Sequence, residues 1–387
     1  MSASLRNSGK VVVDLMPTSN LLTFVDLLHD CRLVSPDQLD ELRRHLLPHY
    51  RDERTLAKYL VQRGWLTVYQ VNQLLQGHAQ ELVLGPCRIL DRLGEGAISQ
   101  VYKAWHTVRH CLVALKVLRP DFLDNESAVH QFEREIHAVT RLSHPNIVTA
   151  VEVGQAGTRR FLAMEYMEGT DLGKFVQLSG PLPVGHACNY IRQAALGLQH
   201  AHENGLVHRD IKPANLFLST PGEGSALRLS DRAVVKILDW GLSHVHLPRH
   251  QPKNTTAWIQ PGALVGTADF MAPEQARDPR RVDIRADIYS LGCTLYFLLT
   301  GQVPFPGKSL MQKLLQHETA EPPAVEALRP DLPRTLPLVL RKMLAKRPED
   351  RHPIPLAVAV ALAPFCRTSR SGTVPPRPLS ASARAGK

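Results

Sequence analysis

The stretch Val207-His208-Arg209-Asp210-Ile211-Lys212-Pro213-Ala214-Asn215 decides how the rest of this 387-residue chain is read. Just after a helical run at about 184–204, it gathers a histidine, a lysine, a carboxylate and an amide oxygen within one short loop. Downstream, Val235-Lys236-Ile237-Leu238-Asp239-Trp240-Gly241 places a second acid at the end of an apolar strand. Asn215 and Asp239 together offer hard oxygen ligands suited to Mg²⁺, a cation that keeps several waters and is shared with phosphates. Upstream, Leu93-Gly94-Glu95-Gly96-Ala97-Ile98-Ser99-Gln100-Val101 sets two glycines between β-type runs, so a hairpin backbone can approach phosphate oxygens. Such a pair alone is an ordinary turn. It gains meaning from Val113-Ala114-Leu115-Lys116, where a lysine ends an apolar strand, and from Phe132-Glu133-Arg134-Glu135, which offers that lysine an acid.

Taken in order, with Gly266–Glu274 and Asp287–Gly292 further on, these elements resemble the protein kinase superfamily over residues 86–366. The run Arg141-Leu142-Ser143-His144-Pro145-Asn146-Ile147-Val148, and Lys212 two residues after Asp210, are most similar to the eukaryotic-like (Hanks-type) Ser/Thr kinases of bacteria. The resemblance implies an α+β, bilobal fold: a five-stranded lobe with one helix, then a mostly helical lobe. It implies ATP- and Mg²⁺-dependent transfer of a γ-phosphate to Ser or Thr hydroxyls of proteins, with autophosphorylation, in bacterial-type signalling.

Site roles follow from the same resemblance. Gly94, Glu95, Gly96, Ala97 and Ser99 should cover the nucleotide, with Val101 and Ala114 against adenine. Lys116 should hold the α/β-phosphates, oriented by Glu135, and Asn215 and Asp239 should bind Mg²⁺. Asp210 should orient the attacking hydroxyl, and Lys212 should neutralise the γ-phosphate. Backbone groups around Glu165–Met167 should pair with the adenine edge, with Met164 behind them. Asp287 resembles the acid that braces the catalytic loop; Glu274 and Arg351 resemble a structural ion pair. Phosphate on Thr255 or Thr256 should meet Arg209, while Thr267 should touch Asp210 and Lys212.

Three positions depart from the family pattern. Ser99 stands where a third glycine is usual, and a φ above zero there would strain it by about 1–2 kcal/mol. Trp240 replaces the usual phenylalanine but keeps a bulky apolar side chain. Pro221–Asp231 adds about ten residues between Asn215 and Asp239, read as a surface loop.

Outward from this core, residues 20–84 read as a helical domain. Ser35-Pro36-Asp37-Gln38 and Thr67-Val68-Tyr69-Gln70 are helix starts of the same design, 32 residues apart, which suggests a two-fold hairpin repeat. Residues 1–19 and the basic, proline-containing tail 367–387 read as disordered. That tail carries five of the ten net positive charges, so the folded part is only mildly basic and a nucleic-acid binder is disfavoured. Six scattered cysteines without a C-x-x-C pair, no signal-peptide pattern and no apolar run of about 20 residues lead to the expectation of a cytoplasmic protein without a membrane span. The expected partners are protein substrates, an unknown partner of the N-terminal helices, and a second copy of the chain. A catalytically dead scaffold finds support only in Ser99, and a small-molecule kinase is opposed by Lys212-Pro213 and Gly266–Glu274.

Overall fold

The computed structural model describes residues 21–219, 229, 232–240, 268–278 and 281–366. They fall into two compact units, Met1–Gly94 with Val101–Leu115, and Glu95–Gln100 with Lys116–Lys387. Thr255, Thr256, Thr267 and nearly all of the 221–231 insertion lie outside the described residues, as do residues 1–20 and 367–387.

The first unit opens with four helices, α1 (Leu21–Asp30), α2 (Pro36–Glu41), α3 (Glu53–Gln62) and α4 (Val68–Leu75). Their starts are locally encoded. Ser35 and Thr67 each close a capping box with the glutamine three residues on, and the Asp52 carboxylate caps α3 by accepting from the Thr55 amide. Leu28, Leu42, Leu56, Leu60 and Leu82 are fully buried between the helices. α1 and α3 are offset by 32 residues, and so are the first residues of α2 and α4. The turns match bond for bond: Leu33 N donates to Leu28 O at 3.0 Å, and Trp65 N to Leu60 O at 2.9 Å. Arg32 and Gly64, the left-handed residues of these turns, have φ of 49° and 69°.

The helices run on into sheet. Strands β1 (Val83–Leu84), β2 (Cys87–Glu95), β3 (Ser99–His106) and β4 (Cys111–Leu118) follow in that spatial order, with Leu84 opposite Cys87 where β1 and β2 pair antiparallel. β1 adds to the five strands read from the sequence.

In the second unit the end of β4 is followed, across the sheet, by β6 (Arg159–Glu165) and then β5 (Ala150–Ala156). The one long helix of this part is α5 (Glu126–Thr140). A small antiparallel sheet of β7 (Gly169–Asp171), β8 (Leu216–Ser219) and β9 (Val234–Ile237) flanks the Val207–Asn215 loop in sequence. Among the described residues the further helices are α6 (Leu172–Ser179), α7 (Val184–Glu203), α8 (Pro273–Arg277), α9 (Ile284–Thr300), α10 (Leu310–Thr319), α11 (Val325–Leu328), α12 (Leu336–Met343) and α13 (Pro355–Leu362). α9 is buried on nearly every side, its apolar residues being spread around the helix with Asp287, Ser290 and Thr294 buried among them.

α7 packs closely on the chain that carries the second acid. A Cβ on Gly197 would lie 3.0 Å from both the Asn146 carbonyl oxygen and Ile237 Cδ1, so only glycine admits this approach without movement. No described helix is long and apolar enough to cross a membrane. All six cysteines are free thiols.

Candidate active site

Three charged side chains of the second unit converge on one point. Lys116, on the last part of β4, is 8% exposed and pairs with Glu135 of α5. Its Nζ also donates to Asp239 Oδ1 at 2.7 Å. Burial works against the Lys116 charge, but Asp239 and Glu135 outweigh it and hold the ammonium above its ordinary pKa. The Lys116 ammonium in turn holds the Asp239 carboxyl below the usual carboxylate range. Burial pushes Glu135 up, with Lys116 opposing. The Asp239 side chain stays 51% exposed, so an ionised carboxylate faces outward from this cluster.

The loop before it is built as tightly. Asp287, fully buried on α9, accepts from the His208 amide at 2.8 Å and the Arg209 amide at 2.7 Å. Burial raises its pKa, with His208 opposing. The His208 ring accepts from the Asp210 amide at Nδ1, so its proton sits on Nε2, which donates to the Leu238 carbonyl at 2.9 Å. Trp240 sets its buried indole edge-on to that imidazole, centroids 4.8 Å apart, which gives the aromatic residue before Gly241 its packing role. Lys212 Nζ donates to Asp210 Oδ2 at 2.9 Å, and Asn215 Nδ2 donates to the same oxygen at 3.1 Å. Asn215 also accepts through its backbone from Leu238 N at 2.9 Å, which ties it to the residue preceding Asp239. Arg209 and Asp239 both adopt left-handed backbone, φ 66° and 52°, which non-glycine residues hold only where the surroundings impose it.

The other expected residues are placed as follows. Gly94 is exposed at the end of β2, and Val101 and Ala114 are half-buried on β3 and β4 of the first unit. In the second unit Gly96 N donates to Ser99 O at 2.7 Å, closing the hairpin, and Ala97 lies exposed at its tip. Glu95 is drawn to Arg119 at 2.8 Å. Ser99 is buried and has no positive φ, which corrects the expectation of strain there. Neither Gly94 nor Gly96 has a positive φ either; what they contribute is room, with nothing within 4 Å of a Cβ on Gly94. Met164 is buried and Met167 half-buried. The Glu165 carboxylate is a strut, accepting from Thr149 N and Lys236 Nζ, each at 2.7 Å.

Asn146 was not singled out from sequence. Its buried side-chain amide nitrogen donates to Val235 O at 2.9 Å, and its backbone carbonyl accepts from Ile237 N at 2.9 Å, so it holds β9 at two points and thereby aims Asp239 two residues on. The signal in the sequence is a polar residue inside an apolar run, Pro145-Asn146-Ile147-Val148. Glu274 and Arg351 form the expected pair, Nη1–Oε1 2.6 Å and Nη2–Oε2 2.8 Å.

The family model of the protein kinase domain matches residues 87–361. The chain is 36% identical over 266 residues to serine/threonine-protein kinase PknB of Mycobacterium leprae, a match covering 68% of this chain and 40% of the relative. It is 36% identical over 295 residues to Pkn1 of Myxococcus xanthus, covering 75% of this chain and 40% of the relative. With PrkC of Bacillus subtilis the figures are 32% over 270 residues, 70% and 39%. The chain thus spans about two fifths of the length of these curated relatives. Among solved structures, the PknI kinase domain of Mycobacterium tuberculosis is similar with a TM-score of 0.55 and 28% identity, covering 73% of this chain and 97% of that one.

Proposed function

Because the chain belongs to the protein kinase family, we propose that it transfers the γ-phosphate of ATP to serine or threonine hydroxyls of proteins. The observation that carries this reading is the Lys116–Glu135–Asp239 cluster, in which one buried ammonium is shared by two acids. A charge so costly to desolvate is kept where a polyanion must be received. Lys116 would hold the α/β-phosphates, and Asp210 would take or orient the hydroxyl proton with Lys212 beside it.

Asn215 and Asp239 fit a divalent cation. The Asn215 amide nitrogen is committed to Asp210, which leaves its oxygen as a hard donor, and the Asp239 carboxylate is ionised and half-exposed. In our reading the cation is Mg²⁺, and its charge offsets that of the phosphates. Glu95, Gly96, Ala97 and Ser99 would cover the phosphates with Gly94. Val101, Ala114, Met164 and the backbone of Glu165–Met167 would line the base. The reading extends to autophosphorylation, with Thr255 and Thr256 as acceptors.

Transfer of label from radiolabelled Mg-ATP to the chain itself and to a generic basic protein tests this. Incorporation by the wild type and its loss in Asp239→Ala is the expected result. Asp210→Ala should cut the rate by about 10²–10⁴-fold. A wild type that binds no nucleotide and transfers no phosphate would overturn the reading in favour of a scaffold.

A further inference from the structure

The helical module touches the strand that leads into the glycine hairpin, and its internal repeat supplies the control for asking why. Both capping boxes make the same local bonds: Gln38 Oε1 accepts from Ser35 N at 2.8 Å, and Gln70 Oε1 from Thr67 N at 2.9 Å. The first box lies at the surface. The second is put to further use. Gln70 is 3% exposed, and its Nε2 donates to the Ile89 carbonyl at 2.8 Å. Thr67 Oγ1 donates to the Leu90 carbonyl. Between them Tyr69 lays its ring against Tyr102 of β3, centroids 6.2 Å apart. β1 pairs with β2 only at Cys87 and Arg88, so side-chain donors of α4 take up the next two carbonyls along β2, shortly before Gly94.

We propose that Gln70 is a positioning residue for the nucleotide: through Ile89 it fixes β2 and the hairpin at Gly94, and the helical module thereby sets the affinity for ATP. The inference rests on the kinase reading above. Glutamate in place of Gln70 keeps the cap acceptor and turns the donor facing Ile89 into a repelling oxygen. The same change at Gln38 leaves a cap with no strand carbonyl to oppose.

The experiment compares full-length wild type, Gln70→Glu and Gln38→Glu by calorimetric ATP affinity with Mg²⁺, and by KM for ATP and for a protein substrate. Gln70→Glu should weaken ATP binding and raise its KM about tenfold, the effect of one lost buried hydrogen bond, with KM for the protein unchanged. Gln38→Glu should match the wild type. If Gln70→Glu does not fold, Gln70→Met and Gln38→Met decide: both delete the cap acceptor, and only the first removes a side-chain donor from the Ile89 carbonyl. A folded Gln70 variant with wild-type ATP affinity, an equal loss in the Gln38 variant, or unfolding confined to Gln70→Met would each overturn the proposal. A wild type that neither binds nor uses ATP fails the kinase reading instead, before any variant is compared.

Discussion

At the turns of the two hairpins, Arg32 and Gly64 hold φ of 49° and 69°. A Cβ makes this conformation cost about 1–2 kcal/mol, so Gly64→Ala should lower stability by about that amount in urea unfolding. Arg32→Gly should gain no more than ~1 kcal/mol, because glycine's extra freedom in the unfolded chain offsets part of the relief. His317 of α10 makes a second residue-scale case. Its Nδ1 lies 2.9 Å from the Tyr289 hydroxyl, and burial, with Lys346 adding, pushes its pKa down to about 4. The unfolded chain takes this proton near pH 6.5 and the folded chain only near 4. The contribution is therefore complete above pH 6.5 and is lost as pH falls toward 4, amounting to roughly 3 kcal/mol. His317→Gln should flatten that acid limb in a pH series of unfolding midpoints; an unchanged limb would assign it to other groups. Neither the turn conformation of Arg32 nor the burial of His317 is written in the identity of the residue, since a residue with a Cβ seldom adopts left-handed backbone and histidine is found both at the surface and inside.

Elements join through a few close approaches. Gly197→Ala on α7 would push a methyl against the Asn146 carbonyl and Ile237, so we expect a loss of about 1–3 kcal/mol and, because β9 ends at Ile237, two residues before Asp239, a fall in phosphate transfer. Unchanged activity in a destabilised variant would separate the packing from the site. α8 is held by Glu274 to Arg351, whose side chain is fully buried. Glu274→Ala leaves that guanidinium uncompensated and should cost about 3–5 kcal/mol by urea unfolding. The helix starts of this molecule were legible because caps are local: Ser35-x-x-Gln38 and Thr67-x-x-Gln70 carry their own hydrogen-bond partners. β2 to β6 were legible from their apolar runs. β9 was legible too, as the apolar run before Asp239, but β7, β8 and the pairing of the three were not, because these short strands are separated by long stretches of chain and pair only once the loop between them is folded.

On the scale of the whole molecule, the helical module and the first strands share one compact unit, whose boundary falls within the glycine hairpin and β4. Deleting residues 1–82 should therefore expose β2, leave the Ile89 and Leu90 carbonyls without their side-chain donors, and lower the stability and solubility of the remainder. A truncated chain that melts like the full one would show the module to be dispensable. The sequence by itself determined the residue types of the site, their order, and the local starts of most helices, since these depend on neighbours a few residues away. The tertiary structure decided that Lys116 is shared between Glu135 and Asp239, that Asn146 and His208 brace the strand and loop, that Ser99 is unstrained, and that Gln70 ends on a strand carbonyl while its repeat partner Gln38 does not. The reason is physical: a cap or an apolar alternation is satisfied within one turn or strand, whereas a buried donor finds its acceptor only when segments distant in the chain have closed upon each other.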